Sequence, residues 1–234
     1  MIVCIDPGHG GKDPGAVTNS LKEKDITLDI SLKLNNLLKG YEVQTILTRI
    51  DDMDVGLSQR ANIANSSKAD FFISIHINAG GGTGFESYRH PNASDKTASI
   101  QAIIHGELAK FYEANGFVDR GIKTANYAVL RETKMPAILV ENLFIDSVKD
   151  ANFLKEEANK QAIARAICNG IVQAFGLKQK TESNLLNTVI DAFVKAGIIT
   201  SAEYWKQNAV EGKQCDGGYV AVLLQRIYEK YMKA

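Results

Sequence analysis

The segment IVCIDPGHGG, residues 2–11, joins a short apolar run to a glycine-rich turn that carries a histidine. The run ends at Pro-Gly and reads as a buried strand. A phosphate-binding loop would place its glycines directly before a helix, where free N–H groups point at the anion. KDPGAVTNS follows instead, a second Pro-Gly loop, and no GxxxxGK[ST] occurs anywhere in the chain. GGGTG, further on, is followed by an apparent strand rather than a helix. The nucleotide-binding reading is therefore set aside. The glycines are read as a sharp turn that holds His9 at the rim of a sheet.

Outward from this turn, residues 22–39 carry two patterns. Ile26, Leu28, Ile30, Leu32 and Leu34 alternate as in a strand, whereas Ile26, Ile30, Leu34 and Leu37 share one helical face. The stretch is too long for a typical strand, so it is read as a helix ended by Gly40. EVQTILTR is a strand, LSQRANIANSSK a helix, and DFFISIHIN a buried strand. AGGGTG leads into another strand, FESYRH, and residues 95–114 form a helix. YAVLR and AILVEN are read as strands, and residues 148–175 as a short and then a long helix stopped by Gly176. Alternating strands and helices predict an α/β fold: a twisted, mostly parallel sheet flanked by helices.

The composition then shifts. The predicted organisation is a first domain over 1–177, a polar linker at 178–183 and a small helical domain over 184–234. Leu185, Leu186, Val189, Ile190, Phe193 and Val194 mark its first helix, and TSAEYW reads as a capped start of the second. The last carries Val220, Leu223, Leu224, Ile227, Tyr228 and Tyr231. A unit this small is marginal alone, so it is expected to lean on the first domain or to self-associate.

The 234 residues are 45% hydrophobic and 23% charged, with 27 basic and 27 acidic side chains. Balanced charge argues against a nucleic-acid partner, and no apolar run has the length for membrane insertion. Cys4, Cys168 and Cys215 are far apart and form no CxxC pair. The first two sit in apolar segments and are read as small core residues of a chain made in a reducing compartment.

Four residues are candidates for chemistry. His9 follows the first strand, His76 ends the SIHIN strand, and Glu23 opens the first helix. Two imidazoles and a carboxylate are the donor set of a catalytic zinc site with one open position. Each also has an ordinary structural explanation. A histidine at a strand end is commonly just hydrogen-bonded, and SLKE is a capping box with Ser20 as N-cap and Glu23 at N3. Glu141 follows four apolar residues in PAILVEN, where a buried charge is costly unless paired or used. It is either a general base or the ion-pair partner of Arg131. His105, mid-helix, and His90, before Pro91, read as structural and exposed.

Four segments, DPGHGGKDPGA, EKDITLDISLKL, SIHINA and MPAILVENLFI, resemble the zinc-dependent N-acetylmuramoyl-L-alanine amidases of the amidase-3 type, in the right order over about residues 1–177. The resemblance implies a zinc amidase/carboxypeptidase-like fold. It implies a peptidoglycan hydrolase that cuts the amide between the lactyl group of N-acetylmuramic acid and L-alanine by zinc-activated water. It implies one Zn2+ per catalytic domain on His9, Glu23 and His76, with Glu141 as catalytic acid/base. Asp6 or Asp13 is then expected to orient His9, and Asn78 and Arg131 to support the site or touch substrate. Many relatives carry a glycine and a phenylalanine after the glutamate, where this chain has Asn142, Leu143 and Phe144.

The resemblance implies bacterial peptidoglycan as the partner, and the helical tail is expected to bind wall or to self-associate. The opening MIVCIDPGHGG has no basic segment followed by a long apolar core, so synthesis in the cytoplasm without a signal peptide is expected. Release by holin-type lysis, as for a phage endolysin, is the expected route, with mother-cell lysis, as for an autolysin, the alternative. The alternatives are another zinc peptidase or amidohydrolase on the same fold, and a non-catalytic wall-binding protein.

Overall fold

The computed structural model describes residues 1–18, 21–180, 182–209 and 214–231. These residues divide into two compact units, Met1–Lys178 and Gln179–Ala234.

The first unit is built on strands β1 (Ile2–Pro7), β2 (Gln44–Leu47), β3 (Phe71–Asn78), β4 (Phe85–Arg89), β5 (Asp119–Thr124) and β6 (Ala137–Phe144). Its helices are α1 (Glu23–Leu38), α2 (Leu57–Ser66), α3 (Asp95–Ala114), α4 (Ala128–Arg131), α5 (Val148–Lys155) and α6 (Glu157–Phe175). The six strands form one sheet in the order β2-β1-β3-β6-β4-β5. All neighbours run parallel except β4 against β6.

Strand alternation explains the two faces. Val3 and Ile5 enter one apolar cluster with Phe71, Ile73, Ile75 and residues of α1, α3 and α6. Cys4 enters the other with Phe72, Leu139, Ala64 and Leu130. Both faces are covered, which is why these strands read as nearly continuous apolar runs. In α1, Ile26, Ile30, Leu34 and Leu38 recur every fourth residue and are at most 5% exposed. Each such burial contributes about 1.5–3 kcal/mol. Gly176 ends α6 with φ 59°, the left-handed stop that glycine adopts at least cost. Cys4 and Cys168 are buried, and burial pushes both thiols up, as core residues require.

Two strand assignments differ from the sequence reading. YAVLR is not a strand: residues 128–131 form α4, which places Val129 and Leu130 on the sheet. Residues 119–124, unassigned from sequence, form the edge strand β5, where polar residues and Gly121 hide the pattern. The start of α1 also differs. Lys22 is its N-cap, so Glu23 is the first helical residue and not N3 of a capping box. Ser20 lies outside the described residues.

The second unit contains α7 (Glu182–Lys195), α8 (Ala202–Asn208) and α9 (Gly217–Tyr231). Ile190, Ile198, Ile199 and Trp205 form its core. Ser201 precedes α8 but its side chain makes no capping bond. No helix among the described residues is long and apolar enough to cross a membrane.

Candidate metal centre and active site

The turn after β1 carries His9 in the left-handed region, φ 59°, which is costly for a residue with a Cβ. Two buried arginines hold it there. Arg60 donates from Nη2 to the His9 carbonyl (2.6 Å) and from Nη1 to the Pro7 carbonyl (2.5 Å) and Asp6 Oδ1 (2.8 Å). Arg49 donates from Nη2 to the Gly8 carbonyl (2.9 Å) and from Nε to the Pro7 carbonyl (3.1 Å). Gly8 is required for a different reason. A Cβ there would sit 2.5 Å from Cε1 of His76, so the imidazole packs against bare backbone.

Glu23 reaches the same point from the start of α1. Its Oε2 accepts from the Ala16 N–H (2.9 Å) and its Oε1 from the Ile77 N–H (3.0 Å). Oε1 also lies 3.2 Å from His9 Nε2 and 3.0 Å from His76 Nδ1. The three donor atoms all lie within 4.8 Å of one another. The second nitrogen of His9, Nδ1, is 2.8 Å from Asp13 Oδ2. An ionised carboxylate only accepts, so Nδ1 carries the proton and the Nε2 lone pair faces Glu23. A lone pair facing a carboxylate needs a positive charge between them, either a proton or a cation.

The electrostatics agree. Burial opposes charge on His9, but its bonds to Glu23 and Asp13 outweigh this and push it up to about 9. His76 is also raised: burial opposes, and Glu23 and Glu141 prevail. Burial alone would raise Glu23, yet the two imidazoles hold it well below the usual carboxylate range. The donor chemistry, the fixed outer hydrogen bond and the field all fit a divalent metal.

Glu141 lies beside this triad, in register with His76 across β3 and β6. Its Oε2 is buried without a hydrogen-bond partner among the described residues. Burial is the main reason its carboxyl is pushed up to about 7, with His76 opposing. His9, His76, Glu141, Arg60, Tyr127 and Leu139 line one cleft of about 360 Å³. Binding sites of open α/β sheets form at this carboxyl end of the strands.

The remaining expected site residues divide. Asp13 does bond His9. Asp6 does not: its carboxylate is buried and accepts from Thr48 (2.5 Å), Arg60 (2.8 Å) and Ser74 (2.6 Å). Arg131 is not the partner of Glu141. It sits on α4 and bonds Asn126 and Glu132. Asn78 donates to Glu86 Oε1 (2.8 Å) rather than to the triad. Asn142 turns away from the cleft, bonding Tyr112 and the His76 carbonyl. Leu143 takes φ 69°, a conformation that suits glycine better. Sequence reading missed Arg49, Arg60 and Glu86. The charged residue inside the strand FESYR was the available signal for the last.

Residues 3–173 match the N-acetylmuramoyl-L-alanine amidase family, Amidase_3. The chain is 52% identical over 197 residues to the sporulation-specific N-acetylmuramoyl-L-alanine amidase of Bacillus subtilis, covering 83% of this chain and 76% of that protein. It is 45% identical over 184 residues to the endolysin of Bacillus phage SPP1, covering 77% and 68% respectively. Among solved structures, the catalytic domain of the amidase CwlV from Bacillus (Paenibacillus) polymyxa superposes with a TM-score of 0.71 at 35% identity, over 76% of this chain and 99% of that one. With the family match spanning nearly all of the first unit, the chain belongs to the N-acetylmuramoyl-L-alanine amidase family.

Proposed function

We propose that this amidase hydrolyses the bond between the lactyl carbonyl of N-acetylmuramic acid and L-alanine in peptidoglycan, with zinc held by His9, Glu23 and His76 and with Glu141 as the proton carrier. The observation that carries this is one carboxylate oxygen, Glu141 Oε2, buried without a partner among the described residues beside a two-imidazole, one-carboxylate donor set. Zinc bound there supplies Lewis acidity to the scissile carbonyl and to the attacking water.

The chain's own groups do the rest. Asp13 holds the His9 proton on Nδ1 and so keeps Nε2 as a donor atom. The buried backbone amide of Ile77 and the amide of Ala16 fix both oxygens of Glu23. Glu141 accepts a proton from water as it attacks, then gives that proton to the departing alanine nitrogen. An oxygen with no competing hydrogen bond is free for both transfers. A carboxyl near neutrality can serve as base and then acid.

Digestion of purified walls tests the reaction. The expected products are peptides with a new N-terminal alanine and no new reducing sugar ends. New reducing ends, or cleavage between amino acids, would sink this reading. Full activity after exhaustive chelation would sink the metal.

We also propose that residues 1–177 form the catalytic domain, 178–183 a linker and 184–234 a wall-binding unit. Trp205, Tyr219, Asp216 and Arg226 line a hollow of about 500 Å³ there, an aromatic and charged surface suited to sugar or peptide. Y219A in the full chain should weaken co-sedimentation with insoluble walls, since Tyr219 is an exposed wall of the hollow whereas Trp205 belongs to the core. Wild-type wall binding, together with a concentration-dependent mass, would favour self-association instead. Similarity to both a sporulation-specific amidase and a phage endolysin supports action on the wall at a lytic event.

A further inference from the structure

We propose that Arg120 and Lys123 form a ledge that recognises the α-carboxylate of the peptidoglycan stem residue following L-alanine. The inference rests on the amidase reading above and adds a specificity determinant to the same site.

Three residues stand in one row across the sheet. His76 is in register with Glu141, and Glu141 with Glu86 on β4. Directly opposed residues on neighbouring strands project to one face. Glu86 therefore stands beside Glu141, one strand further from the metal ligands.

Glu86 is not a second proton carrier. It is 3% exposed and both of its oxygens are occupied. Oε1 accepts from Asn78 (2.8 Å) and Tyr88 (2.6 Å), and Oε2 from Arg120 Nε (2.7 Å) and Lys123 Nζ (2.5 Å). Burial opposes its charge, but Lys123, Tyr88 and Arg120 hold its carboxyl down at about 2. It is a fixed anion whose bonds hold two cations in place.

The balance of charge leaves this ledge positive: two cations share one carboxylate. Both cationic side chains remain 35% exposed. Arg120 spends only Nε on Glu86. Its guanidinium lies 4.9 Å from the centre of the Phe144 ring, and its Nη groups donate to no described residue. Such a planar pair of free donors matches a carboxylate. Arg60, the cation that lines the cleft itself, is unavailable: it is buried and committed to Asp6, Pro7 and His9.

The distance also fits. Arg120 and Lys123 lie on β5, two strands from Glu141, or about 10 Å at the usual strand spacing. Their side chains lean back toward Glu86 and shorten that gap. An extended dipeptide spans about 7 Å. L-alanine at the scissile amide thus places the α-carboxyl group of the next residue at the ledge. In peptidoglycan that group is either free or amidated, so the ledge would distinguish the two forms.

The test compares N-acetylmuramoyl-L-alanyl-D-glutamate with its α-amide, and walls carrying free stems with amidated walls. The proteins are full-length wild type, R120Q, K123Q and K123R, each loaded with zinc. Wild type is expected to prefer the free acid about tenfold in kcat/KM, mostly through KM, the worth of one charge-assisted hydrogen bond. The preference should fall toward unity in R120Q and K123Q and persist in K123R. A wild type that does not discriminate overturns the ledge, as do glutamine variants with the wild-type preference. Equal loss on both forms also overturns it, since that marks a structural role only. Failure of wild type to release any new N-terminal alanine from either walls or compounds overturns the amidase reading itself, a result distinct from the others.

Discussion

His76 and Glu141 face each other in register on the parallel strands β3 and β6, and Glu23 Oε1 lies 3.0 Å from the His76 imidazole. The sheet thereby sets a histidine of the proposed metal triad one strand spacing from a carboxylate whose buried oxygen has no partner among the described residues. Backbone pairing, not loop placement, fixes that separation.

Replacing Glu141 tests both its chemistry and its cost. E141Q should lower wall hydrolysis by about 10²–10⁴-fold, the usual worth of a positioned acid/base. In the metal-free protein the Glu141 carboxyl is raised from 4.5 to about 7, so folding takes up a proton. Stability should therefore fall as pH rises from about 4.5 to about 7. His9 is raised from 6.5 to about 9, and its contribution, full below the lower value, is lost as pH rises toward the higher. Urea unfolding of chelator-treated protein across this range should show both slopes. E141Q should lack the first, and an unchanged first slope would refute the assignment.

Asp13 tests the outer hydrogen bond. Its side chain is 61% exposed, so D13N should leave the fold intact. The weaker acceptor makes His9 Nε2 a poorer donor, and zinc affinity should drop about 10–100-fold. Chelator competition measures this directly. E23A should abolish binding in the same assay.

Asp6 has a structural task. D6A leaves the buried Arg60 without its carboxylate, and breaking a buried pair from one side costs about 3–5 kcal/mol. Denaturant unfolding should report a loss of that size. R131A is the control: among the described residues Arg131 bonds Asn126 and Glu132 alone, so stability should move by less than about 0.5 kcal/mol and activity should hold.

Leu143 combines a left-handed backbone, φ 69°, with complete burial. L143G would relieve about 1–2 kcal/mol of strain. It would also forfeit about 2–5 kcal/mol of packing. The packing loss is the larger, so the variant should melt at a lower temperature than wild type. A higher melting temperature would reverse that ranking.

The long, periodic elements were legible in the sequence. The α1 stripe and the apolar cores of β1, β3 and β6 announce themselves, because burial repeats at the period of the backbone. YAVLR was misread because a four-residue helix has no period to display. DRGIKT, at the sheet edge, went unassigned because an edge strand needs no apolar face. Glu23 looked like a helix cap because local capping and metal ligation ask for the same residue at nearly the same place. The position of Glu23 as the first helical residue, with Lys22 as N-cap, takes it out of the capping box, and its carboxylate instead meets Ala16, Ile77 and the two histidines.

By itself the sequence determined the α/β class, the kinds of side chain available for chemistry, and the resemblance that named His9, Glu23, His76 and Glu141 together. Tertiary structure alone decided which other charges serve them. Asp13 reaches His9, whereas Asp6 is bound to Arg60, Thr48 and Ser74, and Arg131 lies outside the group. Glu86 became visible as the anchor of Arg120 and Lys123 only through strand pairing. The reason is physical: spacing along the chain reports local periodicity, whereas hydrogen bonds and ion pairs depend on distances set by residues far apart in sequence.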